Sequence, residues 1–316
     1  IASLNQFQRN SKRKKTSSLL PEELALLQKQ KELEQQARDL LSQALGHHES
    51  QEQGEILVCG GAKASHTGKH KQLYHINAVS TGSQHLLNEL DYAVLKMLGI
   101  VIYNEITPDN LRKVNAIIAP KKMRTAKFLI SFAFHPLRYA LQPKFLDDVL
   151  ESIYKKNSNK TFATLDTSKY EIAGIDQIHI LKMTSLPTKV FERARISKIN
   201  IINDIPGGVE VISNILKSHG IKEVKAIQHS QLSKLTEESF VLNEVDEANK
   251  NKNLEDIIPD CVFIVTKSAQ VKPFKKIFKG SGRIALAVEW NWCISSIFEL
   301  NVNYADRQHI VYQTGL

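Results

Sequence analysis

Residues 73–103 read LYHINAVSTGSQHLLNELDYAVLKMLGIVIY, and this stretch decides the fold class. It opens with an apolar run, Leu73–Val79, that has the length of a buried strand. Apolar residues then recur at helical spacing over Leu86–Leu98, and Gly99 ends that helix. A second short apolar run, Ile100–Tyr103, follows directly. The order strand, helix, strand predicts a βα unit that continues into a parallel sheet.

The next residues extend this unit. The apolar pattern predicts strands at Asn115–Ala119 and Leu137–Leu141 and a helix at Thr125–Ala133. A last helix is predicted at Pro143–Lys155, because proline is favoured at the first position of a helix. The predicted order of the whole unit is βαββαβα.

The same order returns in the second half of the chain. The predicted elements are strands at 199–202, 224–227, 261–265 and 283–288, and helices at 208–219, 271–278 and 289–299. Each unit has the size of an ordinary small domain. The sequence therefore predicts two α/β modules in tandem.

The tandem pattern, together with aromatic residues on the last helix of each module, resembles the tandem BRCT repeat family. Trp292 stands where this family has its aromatic anchor, and Phe145 takes the place of the usual tryptophan in the first module. Both are expected to be structural residues in a core. The resemblance implies two modules, each a four-stranded parallel sheet flanked by three helices.

The resemblance also suggests a division of the chain. Residues 1–70 are predicted to be a basic N-terminal segment, partly helical and partly disordered. The first BRCT repeat is placed at 71–158, the inter-repeat linker at 159–195 and the second repeat at 196–316. A charged, Asn-rich insertion near 236–256 is expected to be mobile.

A candidate phosphate site follows from Thr81, Gly82 and Lys127. A hydroxyl and a glycine N–H at the end of a strand could hold two phosphate oxygens, and a lysine at a helix start could neutralise the charge. Each feature alone is common in turns and on solvated surfaces. In phosphopeptide-binding BRCT pairs, however, residues of these types at these places bind the phosphate, so the resemblance implies that role here.

The resemblance further implies how the peptide is read beyond the phosphate. Arg124 corresponds to the arginine that contacts the third residue after the phosphate, or a chain-terminal carboxylate there, and Phe128 and Leu129 are expected beside it. The second repeat has Asn203–Gly207 where the Thr-Gly pair would fall. Because Asp204 in this segment would repel phosphate, only the first repeat is expected to bind it.

Within the family, Asn115–Leu129 is most similar to a repeat pair of a DNA-repair scaffold. This similarity implies a nuclear protein of the DNA-damage response that binds a phosphorylated histone tail with a C-terminal Ser-Gln motif, and other repair proteins. No enzyme activity, cofactor or metal is expected. The alternative is a BRCT pair that serves constitutive protein assembly or DNA-end binding without dependence on phosphate.

Composition is consistent with both hypotheses. A formal charge of +9 over 316 residues suits an anionic partner, and direct contact with DNA is as compatible with it as a phosphopeptide is. Three cysteines, Cys59, Cys261 and Cys293, indicate a reducing compartment. No apolar run has the length of a membrane span and no signal peptide is recognised. Since the chain does not begin with methionine, it is expected to be a C-terminal piece of a larger protein.

The first 70 residues contain further patterns. The basic cluster Ser11–Thr16 is typical of nuclear import or nucleic-acid contact, and Pro21–Leu45 is predicted to be a free or partner-seeking helix. A phosphate loop at Gly61–His70 is rejected because its glycines are too far apart and His70 replaces the magnesium-binding hydroxyl. Cys59, His66 and His70 lack the fourth ligand of a structural zinc site.

Overall fold

The structure, a computed structural model, describes residues 20–45, 73–82, 87–107, 109–134, 136–155, 164–183, 189–244 and 258–314. Its described residues form two compact units, one from 20–120 and 141–171 and the other from 121–140 and 172–314. The units do not coincide with the predicted repeats. Lys121–Ala140, which follow the third strand of the first repeat, cluster with the second unit.

Helix α1 (Pro21–Leu45) precedes the first repeat, which has the predicted order of elements. They are β1 (Ile76–Ser80), α2 (Glu89–Met97), β2 (Ile100–Tyr103), β3 (Ala116–Ile118), α3 (Ala126–Ser131), β4 (Tyr139–Leu141) and α4 (Lys144–Tyr154). The sheet has the strand order β2-β1-β3-β4, and β1 pairs in parallel with both β2 and β3. The four-stranded parallel sheet predicted for this repeat is therefore confirmed.

Helix α2 is fixed at its start by side chains. The Asn88 side-chain oxygen accepts a hydrogen bond from the Asp91 N–H, and the Asp91 carboxylate accepts one from the Asn88 N–H, both at 2.9 Å. This capping box satisfies two N–H groups that a helix leaves without intrahelical partners. The Tyr154 hydroxyl donates to Asp91 at 2.7 Å and so connects α4 to α2. Burial, together with this carboxylate, raises the pKa of Tyr154.

Helix α1 packs against α2 and α4 within the first unit, so the prediction that it is free or partner-seeking was wrong. Ala37 is 0% exposed and Leu41 is 3% exposed, because these two positions, one turn apart, face the helices of the repeat. The charged residues between the apolar ones lie on the opposite face. Lys29 forms an ion pair with Glu89 at the start of α2.

Helices α5 (Ile178–Met183) and α6 (Val190–Arg193) lie in the predicted linker. The second repeat also follows the predicted order and contains one additional strand. Its elements are β5 (Lys198–Ile202), α7 (Val209–Ser218), β6 (Glu223–Ile227), β7 (Cys261–Val265), α8 (Val271–Phe278), β8 (Ala285–Glu289), α9 (Trp290–Glu299) and β9 (Ile310–Thr314). The strand order is β6-β5-β7-β8-β9. The first four strands are parallel, and β9 pairs with β8 in the antiparallel direction.

The beginning of the predicted insertion is anchored, which corrects the expectation that all of 236–256 is mobile. Phe240 is 5% exposed and its ring packs against the rings of Phe263, Phe274 and Phe278 at 5.4 to 5.5 Å. The Asn243 side chain accepts hydrogen bonds from Ser197 and Lys198 and donates to two carbonyls. These bonds fix the chain up to residue 244, and residues 245–257 lie outside the described part.

The two predicted aromatic anchors lie in the cores. Phe145 is 0% exposed, and its ring packs edge-on against Tyr74 and Tyr170. Trp292 is 1% exposed, its ring lies 6.3 Å from the rings of Phe191 and Tyr304, and its indole N–H donates to the Asn303 carbonyl at 2.9 Å. The hydrogen bond satisfies the one polar group of the indole, so the side chain is buried without an electrostatic penalty.

Trp292→Ala is expected to lower the free energy of unfolding by about 3–5 kcal/mol, because a large buried aromatic leaves a cavity. Trp290, two residues earlier on the same helix, is only half-buried and serves as the matched control. Thermal and urea unfolding of both variants measure the difference. Equal losses for the two tryptophans would contradict the core assignment of Trp292.

Gly220 is a position where the backbone excludes every other residue. Its φ is +104°, and a Cβ atom there would lie 2.5 Å from the Glu192 Cβ and 2.8 Å from the Glu192 backbone nitrogen. The turn after α7 therefore packs directly on the backbone of α6. The Phe191 N–H donates to the His219 carbonyl at 3.1 Å, which holds the same two segments together.

Gly220→Ala is expected to destabilise the protein by about 1–3 kcal/mol more than Gly280→Ala does. Gly280 has a similar φ of +81°, but a Cβ atom there would meet no atom within 4 Å. Both substitutions place a side chain at a positive φ, but only the one at Gly220 adds a steric clash. The difference between their free energies of unfolding, measured by chemical denaturation, therefore gives the energetic cost of the clash. A loss at Gly220 no larger than that at Gly280 would show that α6 moves aside at little cost.

Candidate functional site

Thr81 and Gly82 form the turn that leaves the carboxyl end of β1. In the parallel pairing of β1 with β3, Ser80 lies opposite Ile118, and the Thr81 N–H donates to the Ile118 carbonyl at 3.0 Å. Thr81 is 9% exposed, whereas Gly82 is exposed and has a φ of +67°. This left-handed conformation suits glycine, which has no Cβ atom to clash with the backbone.

Lys127 lies in the first turn of α3, in the second unit. Helix α3 begins after Thr125, which has the extended backbone conformation of a capping residue. Lys127 is half-buried and Arg124, just before the helix, is exposed. The two predicted cationic residues thus border the start of one short helix.

Helix α3 is held in place by aromatic packing within the second unit. The ring of Phe298, on α9, lies 6.3 Å from the ring of Phe128 and 5.3 Å from that of Phe132. The Lys122 ammonium lies 4.4 Å from the centre of the Phe298 ring, a cation–π contact. Residues from two helices of the second repeat, α7 and α9, therefore support the helix that carries Lys127.

A buried polar contact adds to this packing. The His219 side chain is 0% exposed, and its Nε2 lies 2.9 Å from the carbonyl oxygen of Leu129. This carbonyl lies near the end of α3 and also accepts a hydrogen bond from the Phe132 N–H at 3.3 Å. The His219 contact adds to that bond and fixes α3 against the end of α7.

The structure changes the interpretation of Phe128 and Leu129. Both side chains are 0% exposed, so neither presents a surface to a ligand. Lys127 is half-buried, whereas the next two residues of α3 lie on its buried face, where they pack in the core beneath the helix. Their predicted role beside the peptide is thus corrected to a supporting one.

Arg124 has a partner that the sequence did not predict. Its guanidinium donates to the Asn291 side-chain oxygen at 3.0 Å, and Asn291 lies in the first turn of α9. In the sequence this asparagine resembles any polar residue near a helix start. The neutral amide takes one guanidinium N–H and leaves the positive charge of Arg124 uncompensated by this contact.

The corresponding place in the second repeat is filled by the chain itself. The Gln270 side-chain amide donates to Asp204 at 3.4 Å, which joins the loop after β5 to the start of α8. Asn203 donates to Gln228 and accepts from the His229 N–H, both at 2.9 Å. A carboxylate and its hydrogen-bonded partners occupy this loop, and the absence of phosphate binding by the second repeat stays a prediction.

Several expectations fall outside the described residues. The basic cluster at 11–16, the rejected phosphate loop and Cys59, His66 and His70 all lie there. Cys261 and Cys293 are buried free thiols, and burial raises the pKa of both. In the part of the chain that the structure describes, no cluster of His, Cys, Asp or Glu has the arrangement of a metal site, and no helix is long and apolar enough to cross a membrane.

Comparison with known proteins gives this architecture its family. Two family models, both for the Regulator of Ty1 transposition protein 107 BRCT domain, match residues 61–172 and 189–308. The chain belongs to this BRCT family. The tandem BRCT prediction is confirmed, and so is the similarity of residues 115–129 to the C-terminal repeat pair of the yeast regulator of Ty transposition, a multi-BRCT protein.

One relative covers nearly the whole chain, and two solved structures cover about three quarters of it. Regulator of Ty1 transposition protein 107 of Saccharomyces cerevisiae is 38% identical over 99% of this chain, which spans 26% of that protein. The crystal structure of Rtt107p residues 820–1070 is 40% identical, with a TM-score of 0.65, and the match covers 76% of this chain and 93% of that one. A complex of Rtt107p and phosphorylated histone H2A is also 40% identical, with a TM-score of 0.64 and coverage of 76% and 93%.

Proposed function

We propose that this BRCT pair is a scaffold module that binds a phosphorylated peptide, and that the peptide is a histone tail with a Ser-Gln motif near its C-terminus. The observation that carries the proposal is the relative Rtt107p, which has been solved with phosphorylated histone H2A and is 40% identical to this chain. This chain has residues of the required chemistry at Thr81, Gly82 and Lys127.

In this proposal three groups hold the phosphate. The Thr81 hydroxyl and the Gly82 N–H donate to two phosphate oxygens, and the Lys127 ammonium forms an ion pair with the third. The carboxyl ends of parallel strands lie at the same edge of a sheet. The residues that directly follow β1 and β3 therefore lie at one edge of the first sheet. In the second repeat the equivalent segments meet through Asp204 and Gln270, which supports the same arrangement of segments in the first.

We further propose that Arg124 reads the end of the peptide. Its planar guanidinium matches a carboxylate with two parallel donors. The hydrogen bond to Asn291 already restricts the Arg124 guanidinium in the free protein. Arg124 therefore loses less conformational entropy when the peptide binds. A peptide that ends three residues after the phosphoserine places its carboxylate within reach of this group.

The proposed biological setting follows the relatives. The module is proposed to act without catalysis in the nucleus, where it recruits its parent protein and other repair proteins to phosphorylated chromatin in the DNA-damage response. The division into a first repeat at 71–158, a linker at 159–195 and a second repeat at 196–316 is part of this proposal.

Lys127→Met is expected to weaken binding of a phosphoserine peptide about 10- to 150-fold, because a charge-assisted hydrogen bond is worth about 1.5–3 kcal/mol. Lys121→Met makes the same change on an exposed residue of the same segment and is the matched control. Calorimetric titration of both variants gives the comparison. If Lys127→Met lowered the affinity by less than about threefold, Lys127 would not be a phosphate ligand.

The terminal carboxylate is tested with two peptides that differ only by amidation of the C-terminus. The free acid is expected to bind about 5- to 30-fold more tightly, because amidation replaces a charged acceptor with a neutral one at a partly exposed site. Arg124→Gln should remove most of this difference, as in a double-mutant cycle. If the unmutated protein bound both peptides equally, the ligand would be an internal phosphosite instead of a chain end.

A further inference from the structure

A basic stripe runs along α8 of the second repeat. Residues 266–288 contain six basic residues and no Asp or Glu. Helix α8 buries Val271, Phe274 and Phe278. The opposite face carries four exposed lysines at positions i, i+3, i+4 and i+7, here called the lysine stripe: Lys272, Lys275, Lys276 and Lys279. These spacings place all four on one face, over a length of about 10 Å.

The acids around α8 have partners outside the stripe. Glu237 and Asp260 both pair with Arg283, and Asp204 accepts a hydrogen bond from Gln270 at the start of α8. The elements that pack on α8 include the 3-10 turn Ser268–Gln270, β7, β8 and β9. Strand β8 ends in Glu289, whose carboxylate lies beside His309, and β9 carries no charged residue. Among the described residues, no carboxylate forms an ion pair with a lysine of the stripe.

Helix stability does not explain the stripe. Lysines in the last turn of a helix interact favourably with its dipole, but Lys272 lies in the first turn, where a positive charge is unfavourable. Lysines three and four residues apart also repel one another. The stripe therefore costs some helix stability, and a bound polyanion would offset this cost.

An aromatic ring lies beside the lysines. The Lys275 ammonium is 5.7 Å from the centre of the Tyr312 ring, and Tyr312 packs edge-on against Phe274 at 6.1 Å. The ring is half-buried and held by the core beneath it. Its cation–π contact restricts the position of the Lys275 ammonium beside the other lysines of the stripe.

We propose that the lysine stripe binds the phosphodiester backbone of duplex DNA without reading its sequence. Lysine ammonium groups act as point charges that neutralise phosphates, which is the main source of non-specific affinity for DNA. A protein partner would need an aromatic or apolar anchor, and insertion into a membrane would need an exposed apolar face. In α8 the apolar residues Val271, Phe274 and Phe278 are buried and Ile277 is half-buried, so the helix presents no fully exposed apolar side chain.

The stripe shares no residue with the proposed phosphopeptide site, so the two proposals can fail independently. The test measures binding of a fluorescent 20-base-pair duplex to the full chain by anisotropy. If the stripe neutralises four phosphates, the logarithm of affinity should fall with the logarithm of salt concentration with a slope of about −3.6. Affinity should then drop about 150-fold between 50 and 200 mM salt.

A charge-matched pair of variants locates the site. One variant replaces the four stripe lysines with glutamine: Lys272→Gln, Lys275→Gln, Lys276→Gln and Lys279→Gln. The control makes four equal changes on exposed lysines of other elements: Lys31→Gln, Lys169→Gln, Lys217→Gln and Lys234→Gln. At 50 mM salt the stripe variant should bind at least about tenfold more weakly than the control and show a shallower salt slope.

Three results would overturn the proposal: equal losses in the two variants, no binding by the unmutated chain at 50 mM salt, or equally tight binding of poly-glutamate or phosphatidylserine vesicles. Cross-linking of the unmutated chain to the duplex, followed by mass spectrometry, maps the contact without any substitution. Cross-links are expected on the peptide that contains α8, and their absence there would also overturn the proposal. Saturating phosphoserine peptide should leave DNA binding unchanged, and competition would place the DNA at the peptide site instead.

Discussion

The packing of Phe298 against Phe128 and Phe132 is the contact on which the candidate site depends. Helix α3 spans only Ala126–Ser131, and a helix of this length has little stability of its own in water. Aromatic burial on one side and the His219 contact to the Leu129 carbonyl on the other hold it in the second unit. The position of Lys127 is therefore set by residues that lie about ninety to 170 positions later in the chain.

Local patterns predicted the fold well because buried parallel strands are short, continuous apolar runs. Cys261–Val265 and Ile100–Tyr103 have the predicted bounds. Strand β9 was not predicted, since Ile310–Thr314 mixes apolar and polar residues and becomes a strand only through antiparallel pairing with β8. The docking of α1 was also missed, because its irregular apolar positions do not reveal which surface covers Ala37 and Leu41.

The candidate site was predicted less completely. Thr81, Gly82, Lys127 and Arg124 could be selected because their residue types and places match a family pattern, and their binding roles stay a prediction. Long-range contacts gave no comparable signal. Asn291 lies 167 residues from Arg124 in sequence, and neither residue type identifies the other as its partner. The sequence likewise did not show that Phe128 and Leu129 are buried and cannot contact a peptide, because their burial depends on the packing around α3.

In the proposed function, phosphate is the main determinant of peptide binding, and the second repeat positions the helix that holds Lys127. A calorimetric titration of the unmutated chain with one Ser-Gln peptide in two forms, phosphorylated and unphosphorylated, tests this dependence. The phosphorylated form is expected to bind at least about tenfold more tightly, because only it engages Lys127 with a full charge. Equal affinity for the two forms would exclude the proposed function and would favour assembly that does not depend on phosphate.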